Sequence, residues 1–216
     1  IMPENTPKNK IDNVKRYGGK IIFCEPNIKS REQTLEKIVN KSGASIIHPY
    51  NDEKIIAGQG TAAKELIEEV PDLDAIICPV SGGGLLSGTL LAAKELKPNL
   101  EVFGAEPKNA DDTYRSILNN KIMSNTTTNT IADGLRAQLG SITFPIIKNN
   151  VNSILLVSEE MIINSMYLIW QILKIIIEPS CSIVLAALLL NSEKFINKKV
   201  GLILTGGNYD IKRVPW

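Results

Sequence analysis

Gly82, Gly83 and Gly84 stand between Ser81 and Leu85, where the apolar run Ala75–Val80 gives way to apolar residues at helical spacing, Leu85–Leu96. A junction of this kind turns backbone N–H groups outward. Glycine lets successive N–H groups converge on one oxyanion while the helix N-terminus adds its partial positive charge. The guest expected at Ser81, Gly82, Gly83, Gly84 and Leu85 is therefore a phosphate. Two other readings stay open. Gly82-x-Gly84-x-x-Ser87, with Glu106 further on, has the spacing of a dinucleotide fingerprint in which a glutamate holds a ribose, and three glycines also make a bare tight turn. A Walker-type loop is excluded, because no Gly-Lys-Ser/Thr follows.

A second glycine cluster, Thr205-Gly206-Gly207-Asn208, follows the apolar run Val200–Leu204, and a simple dinucleotide domain does not require it. The other singular stretches are Glu106-Pro107-Lys108-Asn109-Ala110-Asp111-Asp112, Ile131-Ala132-Asp133-Gly134 and Glu178-Pro179. Taken in this order, from Ile1 essentially to Trp216, they resemble the serine racemase family among the fold type II pyridoxal-phosphate enzymes, which also include the serine and threonine dehydratases. The resemblance implies an α/β protein with a three-layer parallel sheet, tryptophan synthase β-like. The family's Ser-Phe-Lys motif, which carries its Schiff-base lysine, and the Asn-His after it do not occur among these 216 residues, nor does its reprotonating serine. Residue 1 is isoleucine. The expectation is a chain incomplete at the N-terminus, the last two-thirds of a longer protein, with no catalytic residue of its own. Residues 1–51 would be the remaining part of the small domain, and residues 52–216 the C-terminal part of the large cofactor-binding domain.

The resemblance also implies roles for particular residues. Ser81, Gly82, Gly83, Gly84 and Leu85 would cradle the phosphate of pyridoxal 5'-phosphate. Gly134 would lie near the cofactor, and Thr205 would place a hydroxyl at the pyridine nitrogen. Such a hydroxyl holds a ring proton less firmly than a carboxylate would, so the ring withdraws electrons less strongly. Glu106, the backbone carbonyl of Ala110, and Asp112 would bind Mg2+, or Ca2+ or Mn2+, with water completing the shell. On residue types alone, Asp111 or Asp112 could equally cap a helix Thr113–Leu118. Glu178 reads as the end of an apolar helix, Met166–Ile177, where a negative charge opposes the helix dipole and so points to a local role in the site. Lys174 and Asn208 match positions implicated in regulation by a nucleotide such as ATP. The implied activity is racemisation of serine with dehydratase (ammonia-lyase) side activity. A catabolic threonine or serine dehydratase and a silent binding protein are the alternatives, and a regulatory domain of the biosynthetic threonine dehydratase type is not expected after Thr205–Asn208.

Net charge is +1 and 44% of the 216 residues are hydrophobic, enough for one sizeable core and part of a second. Neither nucleic acid nor an anionic membrane is suggested, and Ile183–Leu190 is too short to span a bilayer. Three widely spaced cysteines, Cys24, Cys78 and Cys181, favour buried thiols in a reducing cytosol. The family resemblance implies a cytoplasmic homodimer acting on a small amino acid. The single histidine, His48, carries no local motif and reads as structural. Helices alternate with short apolar strands, which argues for a parallel sheet covered on both faces. Expected elements are a helix Pro7–Tyr17, a strand Lys20–Cys24, a capping box Ser30-Arg31-Glu32-Gln33 opening a helix that Gly43 closes, and a strand Ala44–Ile47. Further strands are expected at Val102–Ala105 and Ile154–Val157, and Asn125–Thr130 reads as a polar surface connector.

Overall fold

The computed structural model describes residues 1–125 and 127–216, so the expected connector Asn125–Thr130 falls partly, at Thr126, outside the described residues. Ile1–Ile47 with Asn208–Val214 form one compact unit, and His48–Gly207 with Pro215–Trp216 form another. In the first unit, β1 (Met2–Pro3) pairs in parallel with β2 (Phe23–Cys24), and helices α1 (Lys8–Arg16) and α2 (Ile28–Ser42) accompany them. The cap of α2 lies three residues before the expected box. The Asn27 carboxamide accepts the N–H of Ser30 at 2.7 Å, so asparagine is the cap, and the Ser30 hydroxyl turns back to accept the Glu25 N–H. Gly43 closes the helix in the left-handed region, at φ 67°. The strand expected over Lys20–Cys24 shortens to two residues, and Ala44–Ile47 is no strand at all. Ile46 and Ile47 are 52% and 74% exposed, and no described strand runs beside them to supply a ladder.

The second unit holds the sheet that carries the glycine loop. Its elements are α3 (Glu53–Glu69), β3 (Ala75–Pro79), α4 (Gly84–Leu96), β4 (Glu101–Pro107), α5 (Asp112–Leu118), α6 (Thr143–Asn150), β5 (Ser153–Val157), α7 (Glu159–Leu173), α8 (Pro179–Leu190) and β6 (Val200–Leu202). Four parallel strands lie in the order β5-β4-β3-β6, with Ile76 opposite both Val102 and Gly201. Alternate strand residues face opposite layers. Ile76, Cys78 and Val102 pack with Ala63, Ile67, Leu86, Leu90 and Ile147 of α3, α4 and α6. Ala75, Ile77 and Phe103 pack with Ile162, Ile183 and Val184 of α7 and α8. Every residue of β3 is buried, as a parallel sheet covered on both faces requires, and the result is the three-layer α/β architecture read from the sequence. Helix α4 reaches α3 backbone to backbone: a Cβ on Gly88 would stand 2.4 Å from the Ile56 carbonyl oxygen.

Helix α7 runs Glu159–Leu173, not Met166–Ile177. Lys174 takes a left-handed conformation, φ 58°, and ends it. Three isoleucines then lead into Glu178, whose position before Pro179 disfavours helix. Among the described residues no helix is long and apolar enough to cross a membrane.

Candidate functional site

Strand β3 ends at Pro79, and Val80 and Ser81 carry the chain into Gly82–Gly84. Gly83 adopts φ +89° and caps α4 without a side chain. A Cβ there would meet Ile147 Cδ1 at 2.7 Å, Leu139 Cδ2 at 2.8 Å and Thr143 Cβ at 2.9 Å. Thr143 pins the turn from outside: its hydroxyl donates to the Gly82 carbonyl at 2.8 Å and accepts the Gly140 N–H at 2.9 Å. The ring of Tyr50 lies so close to Gly82 that any Cβ would overlap it, at 2.3 Å. His48 holds that approach by accepting the N–H of Asn51 at 2.9 Å, which gives the lone histidine the structural role expected of it. Gly82, Gly83 and Gly84 are buried, yet among the described residues no protein acceptor takes the N–H of Gly82, Gly83, Gly84 or Leu85. Buried amide donors without partners at a helix N-terminus fit a phosphate.

The remaining motifs reach this loop through a chain of hydrogen bonds. The Ser81 hydroxyl accepts the Ala137 N–H at 3.1 Å, so this side chain ties the loop to the next segment. Within that segment, the Gly134 N–H donates to Ser180 Oγ at 2.9 Å. The Glu178 N–H donates to the Gly206 carbonyl at 3.0 Å, beside Thr205. Glu178 is not at a helix C-terminus, as the apolar pattern suggested. It is the N-cap of α8, where a carboxylate is favoured by the dipole, and its Oε1 lies 3.9 Å from where a Gly206 Cβ would stand. Cys181, one turn on, is fully buried, and burial pushes its thiol pKa up against the opposing pull of the Gly206 and Thr205 amides. Thr205 and Gly206 are exposed. Tyr50, Asn51, Thr143 and Ser180 are the residues that sequence reasoning did not find.

The carboxylate set forms at the end of β4. Glu106, 1% exposed, caps α5 from the strand: Oε1 accepts the Thr113 N–H at 2.9 Å and Oε2 the Tyr114 N–H at 3.0 Å. Asp111, one of the two residues expected to cap that helix, makes no side-chain cap bond, and Asp112 is its first residue. Tyr114 N–H is the donor that the Ala110 carbonyl would take in a continuous helix, and it is turned to Glu106 instead. Asp112, also 1% exposed, accepts from Asn125 Nδ2 at 2.6 Å through Oδ1, while among the described residues its buried Oδ2 has no hydrogen-bond partner. Burial first, and then the Asp112 charge, push the Glu106 pKa up to about 8; burial pushes Asp112 up to about 6. Two buried carboxylates that resist ionisation and one unpartnered oxygen fit a hard divalent cation. Among the described residues no three His, Cys, Asp or Glu side chains converge, so a backbone carbonyl and water must complete such a shell. An open polar cavity of about 580 Å³ lies alongside, lined in part by Lys108, Arg115, Asn125 and Asn129.

Of the residues assigned to a nucleotide, Lys174 ends α7 and is exposed, and Asn208 belongs to the first unit, where it accepts from Asn13 Nδ2 of that same unit at 3.1 Å.

Comparison with known proteins defines the class. Residues 1–206 match the pyridoxal-phosphate dependent enzyme family, and the chain belongs to it. Serine racemases stand among its relatives: that of Arabidopsis thaliana is 47% identical over 98% of this chain and 65% of its own length. The beta-hydroxyaspartate dehydratase of Paracoccus denitrificans is 46% identical over 100% of this chain and 69% of its own. The structure of maize serine racemase superimposes with a TM-score of 0.95 at 43% identity, covering 99% of this chain and 67% of that one. The chain thus spans about two-thirds of the length of the relatives it matches.

Proposed function

We propose that this chain forms the phosphate-binding and cation-binding part of a pyridoxal-phosphate-dependent enzyme acting on small β-hydroxy amino acids, racemising serine and eliminating its hydroxyl group. The observation that carries the reading is the set of four amides, Gly82 to Leu85, at the start of α4 with no acceptor among the described residues. They would hold the cofactor's phosphate. When bound, pyridoxal phosphate supplies the electron sink that lets the Cα–H bond of an amino acid break. The Thr205 hydroxyl would meet the ring nitrogen as a neutral partner, and Ser180 and Glu178 hold the Gly134 and Gly206 segments against α8. Glu106, Ala110 O and Asp112 would hold a divalent cation that ties β4 to α5 and leaves the chemistry to the cofactor. The Schiff-base lysine is assigned to sequence outside these residues, since no Ser-Phe-Lys occurs within them. A cytoplasmic homodimer, and an ATP-type effector at exposed Lys174 or at Asn208, belong to the same proposal.

The relative named as a beta-hydroxyaspartate dehydratase favours a second reading, in which the preferred substrate carries a second carboxylate. Chiral chromatography and keto-acid assays on the full-length protein separate the two. D-serine and pyruvate from L-serine support the first reading. Ammonia release confined to 3-hydroxyaspartate supports the second, and turnover of neither sinks both.

A further inference from the structure

The cation reading leaves one question open in the geometry: why a buried aspartate keeps an oxygen without a partner. Among the described residues nothing donates to the buried Asp112 Oδ2, whereas Oδ1 is held at 2.6 Å by Asn125 Nδ2. A buried acceptor left unmatched is costly, so rotation that let the two oxygens share the amide would ordinarily follow. Three further bonds prevent it.

A carboxamide has one donor end and one acceptor end, and which end faces Asp112 is set by what faces the other. Arg115 can only donate, and its Nη2 reaches Asn125 Oδ1 at 2.6 Å. The oxygen of Asn125 must therefore face Arg115 and its NH2 must face Asp112. Arg115 is itself fixed, since Nε donates to Asp111 Oδ1 at 2.7 Å and Nη1 to the Ser124 carbonyl at 3.3 Å. The links run Asp111, Arg115, Asn125, Asp112, and they begin and end on adjacent residues of one chain. That closes a ring in which none of the groups can turn alone.

We infer that Asn125 is the positioning residue of the cation site, holding one carboxylate oxygen of Asp112 so that the other is presented in a fixed orientation, with Arg115 setting the direction of the amide. The inference rests on the cation reading of Glu106, Ala110 and Asp112. Partners of this outer kind, when lost, lower metal affinity by about 10–100-fold, because the ligand oxygen is no longer held in place before the ion arrives.

The test is calorimetric titration of Ca2+ into the chelator-stripped full-length protein, for the wild type, Asn125→Ala, Arg115→Gln and Asn109→Ala. Asn109 lines the neighbouring cavity and donates to the Asn129 carbonyl, but takes no part in the ring, so its variant should bind Ca2+ as the wild type does. Asn125→Ala should weaken Ca2+ about 10–100-fold, and Arg115→Gln, which frees the amide to turn, should weaken it by a smaller factor. A merely structural role would lower the melting temperature equally in EDTA and in Ca2+ and leave the affinity untouched. Wild-type affinity in both ring variants overturns the inference and leaves the cation site standing. A wild type that takes up no Ca2+ overturns the cation site and the inference with it. If Asn125→Ala does not fold, Arg115→Gln decides alone.

Discussion

Replacing Gly83 with alanine adds a single methyl group at the turn on which the phosphate reading depends. Two costs arise. The residue sits at φ +89°, a conformation that costs an L-residue about 1–2 kcal/mol. The new Cβ would also stand 2.7 Å from Ile147 Cδ1, 2.8 Å from Leu139 Cδ2 and 2.9 Å from Thr143 Cβ. The isoleucine and leucine methyls can swing aside. Thr143 cannot, because its hydroxyl is bonded to both Gly82 and Gly140 at the start of α6. Overpacking of this kind costs about 1–3 kcal/mol, so the sum is about 2–5 kcal/mol. For a chain of this size that corresponds to a fall of about 4–20 °C in melting temperature. The assay is a thermal melt of full-length protein by circular dichroism, with and without pyridoxal phosphate. Gly58→Ala serves as the control: Gly58 lies in α3 with nothing within 4 Å of its Cβ position, and the substitution should stabilise by up to about 1 kcal/mol. Gly83→Ala should also lose most of the cofactor-dependent rise, because turning the peptide re-aims the amides of the cradle. A Gly83→Ala protein that melts with the wild type and still gains stability from the cofactor would refute the reasoning.

Two other outcomes are expected. Because the pKa values of Glu106 and Asp112 are raised in the folded protein, to about 8 and about 6, the stability these groups contribute is fully present below their ordinary values of 4.5 and 3.8 and is lost progressively as pH rises from there through their folded values of about 8 and about 6. Melting temperature in EDTA should fall across that window, Mg2+ should oppose the fall, and Asp112→Asn should abolish the Mg2+ effect; melts of the wild type that coincide with and without Mg2+ at pH 8 would count against the site. Burial pushes the Cys78 thiol up to about 12, and Cys24, Cys78 and Cys181 are all buried, so a thiol reagent at pH 8 should label none of them quickly until denaturant is added; mass spectrometry showing rapid modification of native Cys78 would contradict this.

The glycine turn between β3 and α4 was legible because its signal is local: an apolar strand, three glycines and a helical period occupy one continuous stretch, Ala75–Leu96. Glu106 and Asp112 were legible in position, but the capping of α5 by Glu106 was not, since Glu106 reaches Thr113 and Tyr114 only after the chain turns back on itself. Glu178 was misplaced for a physical reason. An almost uninterrupted apolar run looks like one helix, and nothing in residue types alone shows Lys174 turning left-handed and α8 starting five residues later. The residues missed altogether act across distance in sequence. Thr143 reaches Gly82, Ser180 reaches Gly134 and Asn51 accepts from Ile142, and none of these pairs has a spacing that a local pattern could betray. The short strand expected at Ala44–Ile47 failed because apolar alternation creates a strand only where a neighbour can pair with it.

The most direct measurement compares the affinity of the full-length protein for pyridoxal 5'-phosphate with its affinity for pyridoxal, which lacks the phosphate, under identical conditions. If the amides of Gly82 to Leu85 hold that phosphate, pyridoxal phosphate should bind at least about 100-fold more tightly, as two charge-assisted hydrogen bonds of about 1.5–3 kcal/mol each would require. Inorganic phosphate should compete with pyridoxal phosphate. Equal affinity for the two compounds, with no competition by phosphate, would contradict the account.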